Sequence, residues 1–232
     1  MKTAHTIEEY DLCVKALFDS VKRGVEPEVF KPSPELQVIL TAHKAAAEEK
    51  VRRDKVASLR FAWGAPKRHL QCEPVQDGPW GAALSVLKPR LGNGLLAGLV
   101  GGRGTGKTQI AIELMKCSTE NLQSARFCTA MEFFMQVKAT YGGDSQRDEA
   151  SVLKQFQAPA LLVIDEAGKR GGSDWENNLL FEVVNRRYND LKDTILIDNR
   201  TREDFIATTG PSLASRMNEC GGIIECNWKS FR

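Results

Sequence analysis

The chain has 232 residues, of which 42% are hydrophobic and 27% are charged, and its formal net charge is +2. This composition predicts an ordinary globular protein of one or two domains. The near-neutral charge excludes a global electrostatic attraction to nucleic acid, but it leaves room for a local basic groove.

Cysteine usage and hydropathy exclude several further classes. The six cysteines contain no C-x-x-C pair and the three histidines are dispersed, so we predict neither a disulfide framework nor a zinc site. His69 and Cys72 form a pair without further ligands and are interpreted as structural. The first residues do not fit a signal peptide, and no apolar stretch reaches the length of a membrane span. We therefore expect a cytoplasmic protein without a membrane partner.

Residues 1–62 are predicted to form a helical N-terminal region. The segment Thr6–Glu9 matches a capping box, which marks the start of a first helix. The pair Ser33–Pro34 predicts the start of a second, long helix that ends near Phe61. The highly charged segment Glu48–Lys55 fits a solvated helix and a partner-binding arm equally well.

The rest of the chain is predicted to be a connector followed by an α/β core. Residues 63–94 are rich in proline and glycine, whereas residues 95–232 alternate between strand-like and helix-like segments. This alternation predicts a parallel sheet that is covered by helices on both faces. The five predicted strands are Leu95–Val100, Ala125–Ala130, Ala160–Asp165, Thr194–Asp198 and Gly222–Cys226.

The segment after the first of these strands fits the phosphate-binding P-loop pattern G-x-x-x-x-G-K-[ST]. Glycines let backbone N–H groups surround a polyphosphate, Lys107 can reach the β- and γ-phosphates, and the Thr108 hydroxyl can ligate Mg²⁺. A glycine-rich turn that binds nothing is disfavoured by the strand–loop–helix context. We predict an ATP site whose nucleotide-binding residues are Gly101, Gly102, Arg103, Gly104, Thr105, Gly106, Lys107 and Thr108.

A second acidic motif ends the third predicted strand and fits a Walker B motif. Asp165 would hold Mg²⁺ together with Thr108, and Glu166 would orient and polarise the attacking water. One predicted strand lies between the P-loop strand and the Asp165 strand, which is typical of ATPases that use a catalytic glutamate. A small-molecule kinase is disfavoured because the chain contains no evident Arg-rich lid.

Two further residues are candidates for catalysis, each with a plain alternative. Asn199 follows the fourth predicted strand, where it can sense the γ-phosphate as a sensor 1 residue or simply cap a turn. Arg216 lies on a short predicted helix, where it is either a surface charge or an arginine finger that reaches a neighbouring subunit. Assembly through such a finger is head-to-tail and gives a ring or an open helix.

Several segments together resemble the helicase loaders of the DnaC/DnaI type, a branch of the AAA+ ATPases, and their transposon relatives of the IstB type. The resemblance covers about residues 64–232, and its most specific parts are the closing tail and the helix that contains two arginines and a tyrosine. The matching stretches are Gly64–His69, the P-loop, Leu161–Gly168, Glu182–Tyr188, Asn199, Leu213–Met217 and Cys226–Arg232.

The resemblance implies an ATP-dependent protein that loads the replicative hexameric helicase, of the DnaB type, onto single-stranded DNA. The helical N-terminal region would hold the helicase, and the AAA+ core would bind ATP and DNA and assemble into a spiral or ring of identical subunits. Asn199 would then be sensor 1 and Arg216 the arginine finger. Hydrolysis would be slow alone and stimulated by assembly or DNA, because the finger comes from a neighbour.

The resemblance also implies two segments that face DNA. An aromatic side chain beside a lysine or arginine can stack on a base and hold its phosphate. The alternative for Phe133 and Phe134 is packing in the core, which we favour for at least one of them. The candidates for DNA binding are Lys138, Tyr141, Lys169, Arg170, Ser173 and Trp175.

The chain departs from the loader pattern at two points. A C-terminal lid with a second sensor arginine is not evident, and Ser212 occupies a position that is basic in many loaders. Two alternatives to a loader stay open. The first is a transposition helper ATPase with the same core, and the second is an adaptor that binds nucleotide without hydrolysing it, against which Glu166 argues.

Overall fold

The computed structural model describes residues 2–4, 6–23, 30–74, 77–141, 148–168 and 173–231. The chain divides into two compact units, residues 1–55 and residues 56–232. The division lies inside the long helix that the sequence predicts, upstream of the predicted boundary at residue 62. No helix among the described residues is long and apolar enough to span a membrane.

The first unit consists of helices and a pair of short strands. Its elements are β1 (Lys2–Ala4), α1 (Ile7–Lys22), β2 (Phe30–Pro32) and the part of α2 (Pro34–Phe61) up to residue 55. β1 and β2 pair in parallel.

Both helix starts in this unit have the predicted capping. The Glu9 amide donates to Thr6 Oγ1 at 3.1 Å, and the Thr6 amide donates to Glu9 Oε2 at 3.4 Å, so the capping box is present. The Leu36 amide donates to Ser33 Oγ at 3.2 Å, directly before the long helix. The sequence therefore predicts both helix starts and the end of α2 at Phe61 correctly.

The second unit is a five-stranded parallel sheet with helices on both faces. Before the sheet come α3 (Lys67–Leu70), α4 (Gly78–Leu87) and a 3₁₀ turn (Lys88–Arg90). The strands are β3 (Leu96–Val100), β4 (Ala125–Thr129), β5 (Leu161–Asp165), β6 (Asp193–Ile197) and β7 (Gly222–Glu225). The helices among them are α5 (Lys107–Glu120), α6 (Ala130–Lys138), α7 (Glu149–Gln157), α8 (Asp174–Asn189), α9 (Arg202–Thr209) and α10 (Pro211–Cys220).

The spatial order of the strands is β4-β5-β6-β3-β7, and every neighbouring pair is parallel. All five predicted strands are present, and each end lies within one residue of its prediction. β6 separates the P-loop strand β3 from the Walker B strand β5. The carboxyl ends of these three strands therefore meet at one edge, where ligands bind in open α/β sheets.

Alternate residues of the strands enter two separate hydrophobic cores, one on each face of the sheet. In β5, Leu162 and Ile164 pack against α6 to α10, whereas Leu161 and Val163 pack against α4 and α5. Every one of these side chains is fully buried, as expected for strands covered on both faces. The two cores hold the sheet edge that carries the polar side chains described next.

The predicted connector contributes to one of these cores. Trp80, Leu84 and Leu87 of α4 are buried together with Trp63, on the same face of the sheet as α5. Gly78 and Pro79 stand at the N-terminal end of α4, where proline is well tolerated because its missing N–H has no helical partner. Residues 63–94 are therefore an integral part of the second unit and include a ten-residue helix.

Candidate nucleotide site

The P-loop connects β3 to α5 in the arrangement that the sequence predicts. Gly101, Gly104 and Gly106 have φ angles of 123°, 84° and 80°, and these angles favour glycine over residues that carry a Cβ. α5 begins at Lys107, directly after Gly106. The positive end of the α5 dipole and its first amide groups therefore lie at the end of the loop, which is a favourable position for a phosphate.

Lys107 is a buried cation with only 4% of its surface exposed. Its Nζ donates to the carbonyl oxygens of Gly101 at 2.7 Å and of Gly102 at 2.6 Å. Burial lowers the pKa of Lys107, and the nearby groups Cys226 and Asp165 act in the opposite direction. The ammonium group is thus held by its own loop, on a flexible side chain that a phosphate can attract.

Thr108 and Asp165 meet across the site, as the sequence predicts for a pair that holds Mg²⁺. Thr108 Oγ1 donates to Asp165 Oδ2 at 2.9 Å, and the Glu166 amide donates to Asp165 Oδ1 at 2.7 Å. Burial raises the pKa of Asp165, whereas the hydrogen bonds from Thr108 and Glu166 lower it in part. The carboxyl group is therefore partly desolvated and points at the P-loop hydroxyl.

Glu166 occupies a strained backbone position directly after β5. Its φ angle is 56°, in the left-handed region that few residues other than glycine adopt. Such strain is retained mainly at functional sites, where the surrounding structure fixes it. The turn places Glu166 on the wall of the cavity described next.

A cavity of about 530 Å³ opens beside these groups. Its volume is within the range of ligand sites in proteins. One part of its lining was predicted from the sequence and comprises Arg103, Gly104, Gly106, Lys107, Thr108, Asp165, Glu166 and Asn199. The other part was not assigned to nucleotide binding and comprises Arg68, His69, Cys72, Pro74, Trp80, Gln109 and Phe231.

The unassigned wall is attached to the P-loop helix through Gln109. Gln109 Nε2 donates to the His69 carbonyl oxygen at 3.2 Å, and Gln109 Oε1 lies 3.2 Å from His69 Nδ1. This pair links α3 to the residue that follows Thr108. Gln109 stands in the first turn of α5, where a polar side chain is ordinary, so the sequence contains no signal of this contact.

Asn199 lines the cavity at the end of β6, where a sensor 1 residue would lie. Its neighbours Asp198 and Arg200, which the sequence analysis did not single out, connect this strand end to both nucleotide motifs. The Arg200 carbonyl oxygen accepts from the Gly101 amide at 3.0 Å, and the Arg200 guanidinium donates to the Gly168 carbonyl oxygen after the Walker B strand. Asp198 Oδ1 accepts from the Arg200 amide at 3.1 Å.

Arg216 lies on α10 with its guanidinium 5.5 Å from the ring centre of Phe181 and 5.2 Å from that of Tyr188. Among the described residues, it is not part of the cavity lining. A finger that acts on a neighbouring subunit has to lie away from the nucleotide site of its own subunit. The position of Arg216 is compatible with that role, which stays a prediction.

Three of the predicted DNA-binding residues lie together and form what we name the aromatic–basic cluster: Lys138, Tyr141 and Trp175. Trp175 Nε1 donates to the Tyr141 hydroxyl at 3.1 Å, and Lys138 Nζ lies 5.0 Å from the centre of the Trp175 ring. Lys138 also pairs with Glu176 at 3.5 Å. The cluster joins the end of α6 to the start of α8.

The other candidates for DNA binding have different positions. Ser173 caps α8, because its Oγ accepts from the Glu176 amide at 3.3 Å. Lys169 and Arg170 lie outside the residues that the structure describes. Phe133 and Phe134 are both buried in the core, as the packing alternative predicts.

The donor set of the site fits Mg²⁺. Thr108 and Asp165 supply hard oxygen donors, and Mg²⁺ in nucleotide sites commonly takes only one or two protein ligands besides phosphate and water. Among the described residues, no group of three or more His, Cys, Asp or Glu side chains could hold a metal. A site of this kind depends on a nucleotide to complete the coordination.

Comparison with known families gives a match that includes the P-loop and the Walker B strand. The family described as IstB-like ATP binding protein matches residues 95–217, which is more than half of the chain. The chain belongs to this family. The family description names ATP binding, which supports ATP as the ligand of this chain.

Curated relatives and solved structures point to the same fold. The replicative helicase loader DnaC of Buchnera aphidicola is 26% identical over 130 residues, which cover 56% of this chain and 53% of that protein. This chain therefore matches only about half the length of such relatives. A crystal structure of the DnaC helicase loader superposes with a TM-score of 0.55 at 22% identity, over 66% of this chain and 91% of that one. AMPPCP-bound DnaA from Aquifex aeolicus gives 0.55 at 22% identity, over 69% of this chain and 50% of that one.

These neighbours show that the second unit has the fold of an AAA+ P-loop core. The predicted fold class, a five-stranded parallel sheet flanked by helices, is confirmed.

Proposed function

We propose that this protein hydrolyses Mg-ATP and uses the cycle to load a replicative hexameric helicase of the DnaB type onto single-stranded DNA. The observation that carries the ATPase part is the meeting of Thr108 and Asp165 at 2.9 Å, with Glu166 as the next residue. The helicase-loading part is supported by curated relatives that are named replicative helicase loaders.

The chain offers a separate group for each task of hydrolysis. The P-loop amides and Lys107 bind the phosphates, Thr108 and Asp165 hold Mg²⁺, and Glu166 orients and polarises the attacking water. Bound Mg²⁺ would neutralise the charge that develops on the phosphate oxygens. Asn199 would hydrogen-bond to the γ-phosphate, from a strand end that is fixed to both motifs through Arg200.

Assembly completes the site in this proposal. Arg216 would reach the γ-phosphate of a neighbouring subunit, which makes hydrolysis slow in the isolated protein and faster in a spiral or ring. The guanidinium would have to leave the rings of Phe181 and Tyr188 to do so. Mixing Glu166→Gln with Arg216→Ala subunits tests this. Because each variant supplies what the other lacks, mixed assemblies should recover activity that neither variant has alone.

The aromatic–basic cluster is the proposed contact to single-stranded DNA. Trp175 and Tyr141 offer aromatic surfaces for stacking, and Lys138 offers a charge for phosphate. Trp175→Ala should weaken binding of a single-stranded oligonucleotide by about 5- to 100-fold while leaving ATP affinity unchanged. Equal DNA affinity in the variant and the wild type would remove the cluster from the DNA path.

The first unit is the proposed helicase-binding region. Large apolar side chains are exposed there, including Phe18 with 63% and Val38 with 71% of the surface accessible. Exposed apolar groups of this size are typical of interaction surfaces when several occur together. The charged second half of α2 remains compatible with either a solvated helix or part of this surface.

A pull-down of the host replicative helicase by the full chain tests the loader function. Phe18→Asp and Val38→Asp should reduce capture, whereas Val86→Asp, at an exposed site of the second unit, should not. Failure of the wild-type protein to capture the helicase, with ATP binding intact, would favour the second candidate. That candidate is a transposition helper ATPase, which the resemblance to transposon proteins of the IstB type implies, and a transposase would be the next bait.

A further inference from the structure

Three successive carbonyl groups of the P-loop are each held by an N–H group from outside the loop. The Gly104 carbonyl oxygen accepts from the Phe231 amide at 3.0 Å. The Thr105 carbonyl oxygen accepts from Trp228 Nε1 at 2.8 Å, and the Gly106 carbonyl oxygen accepts from Trp80 Nε1 at 3.2 Å. These distances lie in or at the edge of the normal range for N–H···O hydrogen bonds.

Because the peptide bond is planar, these three hydrogen bonds also set the direction of the N–H groups that face the phosphate site. The carbonyl of one residue and the N–H of the next belong to one rigid plane and point in opposite directions. Fixing the carbonyls of Gly104, Thr105 and Gly106 therefore directs the N–H groups of Thr105, Gly106 and Lys107 away from the donors. Backbone N–H groups are what a P-loop uses to bind polyphosphate.

The same outside segments also pack closely against the glycines of the loop. A Cβ at Gly106 would lie 2.7 Å from Trp80 Nε1 and 3.4 Å from the Phe231 ring. A Cβ at Gly101 would lie 2.9 Å from the Cys226 carbonyl oxygen. The first and last glycines of the loop are therefore both in contact with the outside segments, and no side chain would fit between.

The segment that carries Trp228 and Phe231 is itself anchored to the sheet. The Cys226 amide donates to the Val100 carbonyl oxygen at 2.7 Å, next to the start of the P-loop, and Cys226 is fully buried. Trp80 is anchored from the other side, because it is buried in the core with α4 and α5. The three N–H donors thus come from supports that do not depend on a bound nucleotide.

We propose that Trp80, Trp228 and Phe231 form a P-loop brace, a set of positioning residues that holds the loop in its phosphate-binding shape before ATP arrives. The proposal rests on the assignment of the cavity to ATP. A loop that is already ordered loses less conformational freedom when the ligand binds, which raises affinity without any direct contact. Trp80 and Phe231 also line the cavity, whereas Trp228 is not among its described lining residues and would therefore act on nucleotide affinity through the loop alone.

Trp228→Phe is the main test, because it removes the N–H donor and keeps an aromatic ring. Trp63→Phe is the matched control: Trp63 is buried in the same core as Trp80, and its Nε1 has no hydrogen-bond partner within the described residues. We expect Trp228→Phe to weaken ATP binding by about 3- to 10-fold, the effect of losing one net hydrogen bond. Trp63→Phe should stay within about 2-fold of the wild type.

Amide hydrogen exchange gives a readout that a merely structural role would not move. In the nucleotide-free protein, Trp228→Phe should speed exchange of the amides of residues 101–108, whereas Trp63→Phe should not. Saturating ATP should restore the slow exchange. Trp80→Phe should have the smaller effect of the two brace tryptophans, because the Gly106 carbonyl oxygen also accepts from the Ile110 amide at 2.9 Å.

A second pair of variants keeps the test independent of tryptophan packing. Phe231 is exposed, so Phe231→Pro can remove the amide donor with little risk to the fold, and Phe231→Ala keeps the donor while removing the ring. The proline variant should bind ATP more weakly than the alanine variant. If Trp228→Phe matches Trp63→Phe in both affinity and exchange, the brace does not exist. A wild-type protein that binds no ATP would instead overturn the assignment of the site to ATP. Amide exchange in the nucleotide-free variants would still show whether the brace orders the loop.

Discussion

Two buried cations stand at opposite edges of the sheet, and their surroundings differ in a way that separates scaffold from site. Lys107 lies at the carboxyl ends of the strands with 4% of its surface exposed, and Arg187 lies at their amino ends with 1% exposed. Both donate to backbone carbonyl groups. They differ in the number of those partners and in where the partners lie along the chain.

Arg187 is saturated with acceptors from two segments, residues 156–160 and residues 193–194. Its guanidinium donates to five carbonyl groups and to Thr194 Oγ1, and the carbonyls belong to Phe156, Gln157, Pro159, Ala160 and Asp193. Burial lowers the pKa of Arg187 to about 10, which leaves it charged at neutral pH. The planar fork of arginine suits such a task, because its donors point in fixed directions.

Among the described residues, Lys107 has only two carbonyl acceptors, both in the P-loop, and a bound phosphate could replace them. Its two acceptors, the carbonyls of Gly101 and Gly102, belong to the loop that a phosphate would approach. Its side chain is flexible, and its pKa is lowered by burial, so a nearby anion would stabilise its charge. The comparison teaches that burial alone does not mark a functional cation, whereas burial with replaceable partners does.

Arg187→Met should produce the largest effect on stability. The change leaves several buried carbonyl groups without a donor, so we expect the free energy of unfolding to fall by about 3–5 kcal/mol. Urea unfolding measures it, and Arg186→Met is the control, since Arg186 is exposed and pairs with the exposed Glu182. A loss below about 1 kcal/mol would mean that Arg187 is no more structural than its neighbour.

Lys107→Met should give the opposite pattern. ATP affinity should fall by at least about 100-fold, because the charged donor to the β- and γ-phosphates is lost. Stability without nucleotide should stay within about 1 kcal/mol, because a buried ammonium is replaced by an apolar group and Gly102 O still accepts from Thr105 Oγ1 at 3.0 Å. Calorimetric titration with ATP and urea unfolding measure the two effects. Strong destabilisation would place Lys107 with the scaffold.

The contrast between these cations also explains how much the sequence alone could predict. The P-loop, the Walker B strand and Asn199 lie in short segments where a few residues define both the local structure and its chemistry. The five strands are equally local, since each is a short apolar run. For Arg187 the sequence predicts no role beyond its place in the matching stretch Glu182–Tyr188. Its acceptors include carbonyl groups about 30 residues earlier, and such pairing is visible only in the folded chain.

Contacts between segments that are distant in sequence also explain the other features of the site that the sequence does not predict. The brace was not predicted, because Trp80 and Trp228 reach the loop from opposite ends of the second unit. The wall with Arg68 and His69 was part of a matching stretch without an assigned role. The sequence predicts a connector where α4 forms, because prolines and glycines such as Pro79 and Gly78 favour a break, although proline at a helix start favours the helix.

Asp165→Asn tests whether the buried carboxylate of the site lowers the stability of the fold or contributes to it. Burial raises the pKa of Asp165, so the folded protein binds its proton more readily than the unfolded chain does. The ionised carboxylate therefore costs stability at neutral pH, and that cost disappears as the pH falls through the raised pKa. We expect the asparagine variant to be as stable as the wild type or up to about 1 kcal/mol more stable at pH 7.

The advantage of Asp165→Asn should shrink as the pH is lowered from 7 towards 4, and ATP hydrolysis should be lost at every pH. Urea unfolding without nucleotide, repeated across this range, measures the first effect, and phosphate release measures the second. A variant that is less stable than the wild type at pH 7 would show that the hydrogen bonds of the carboxylate outweigh its burial, and that the acidic residue belongs to the scaffold.

Lys192→Ala should have the smallest effect on stability. It tests whether the carbonyl groups of residues 156–160 are sensitive to the loss of any donor or only to the loss of Arg187. Lys192 Nζ donates to the Gln157 carbonyl oxygen at 2.7 Å, one of the groups that Arg187 also contacts, but Lys192 is only partly buried. Water can replace a donor at such a position, so we expect urea unfolding to report a loss of about 1 kcal/mol or less. A loss as large as that of Arg187→Met would mean that stability depends on every donor to the carbonyl groups of residues 156–160, and not on Arg187 in particular. A small loss would assign the large effect to the buried guanidinium, whose partners water cannot reach.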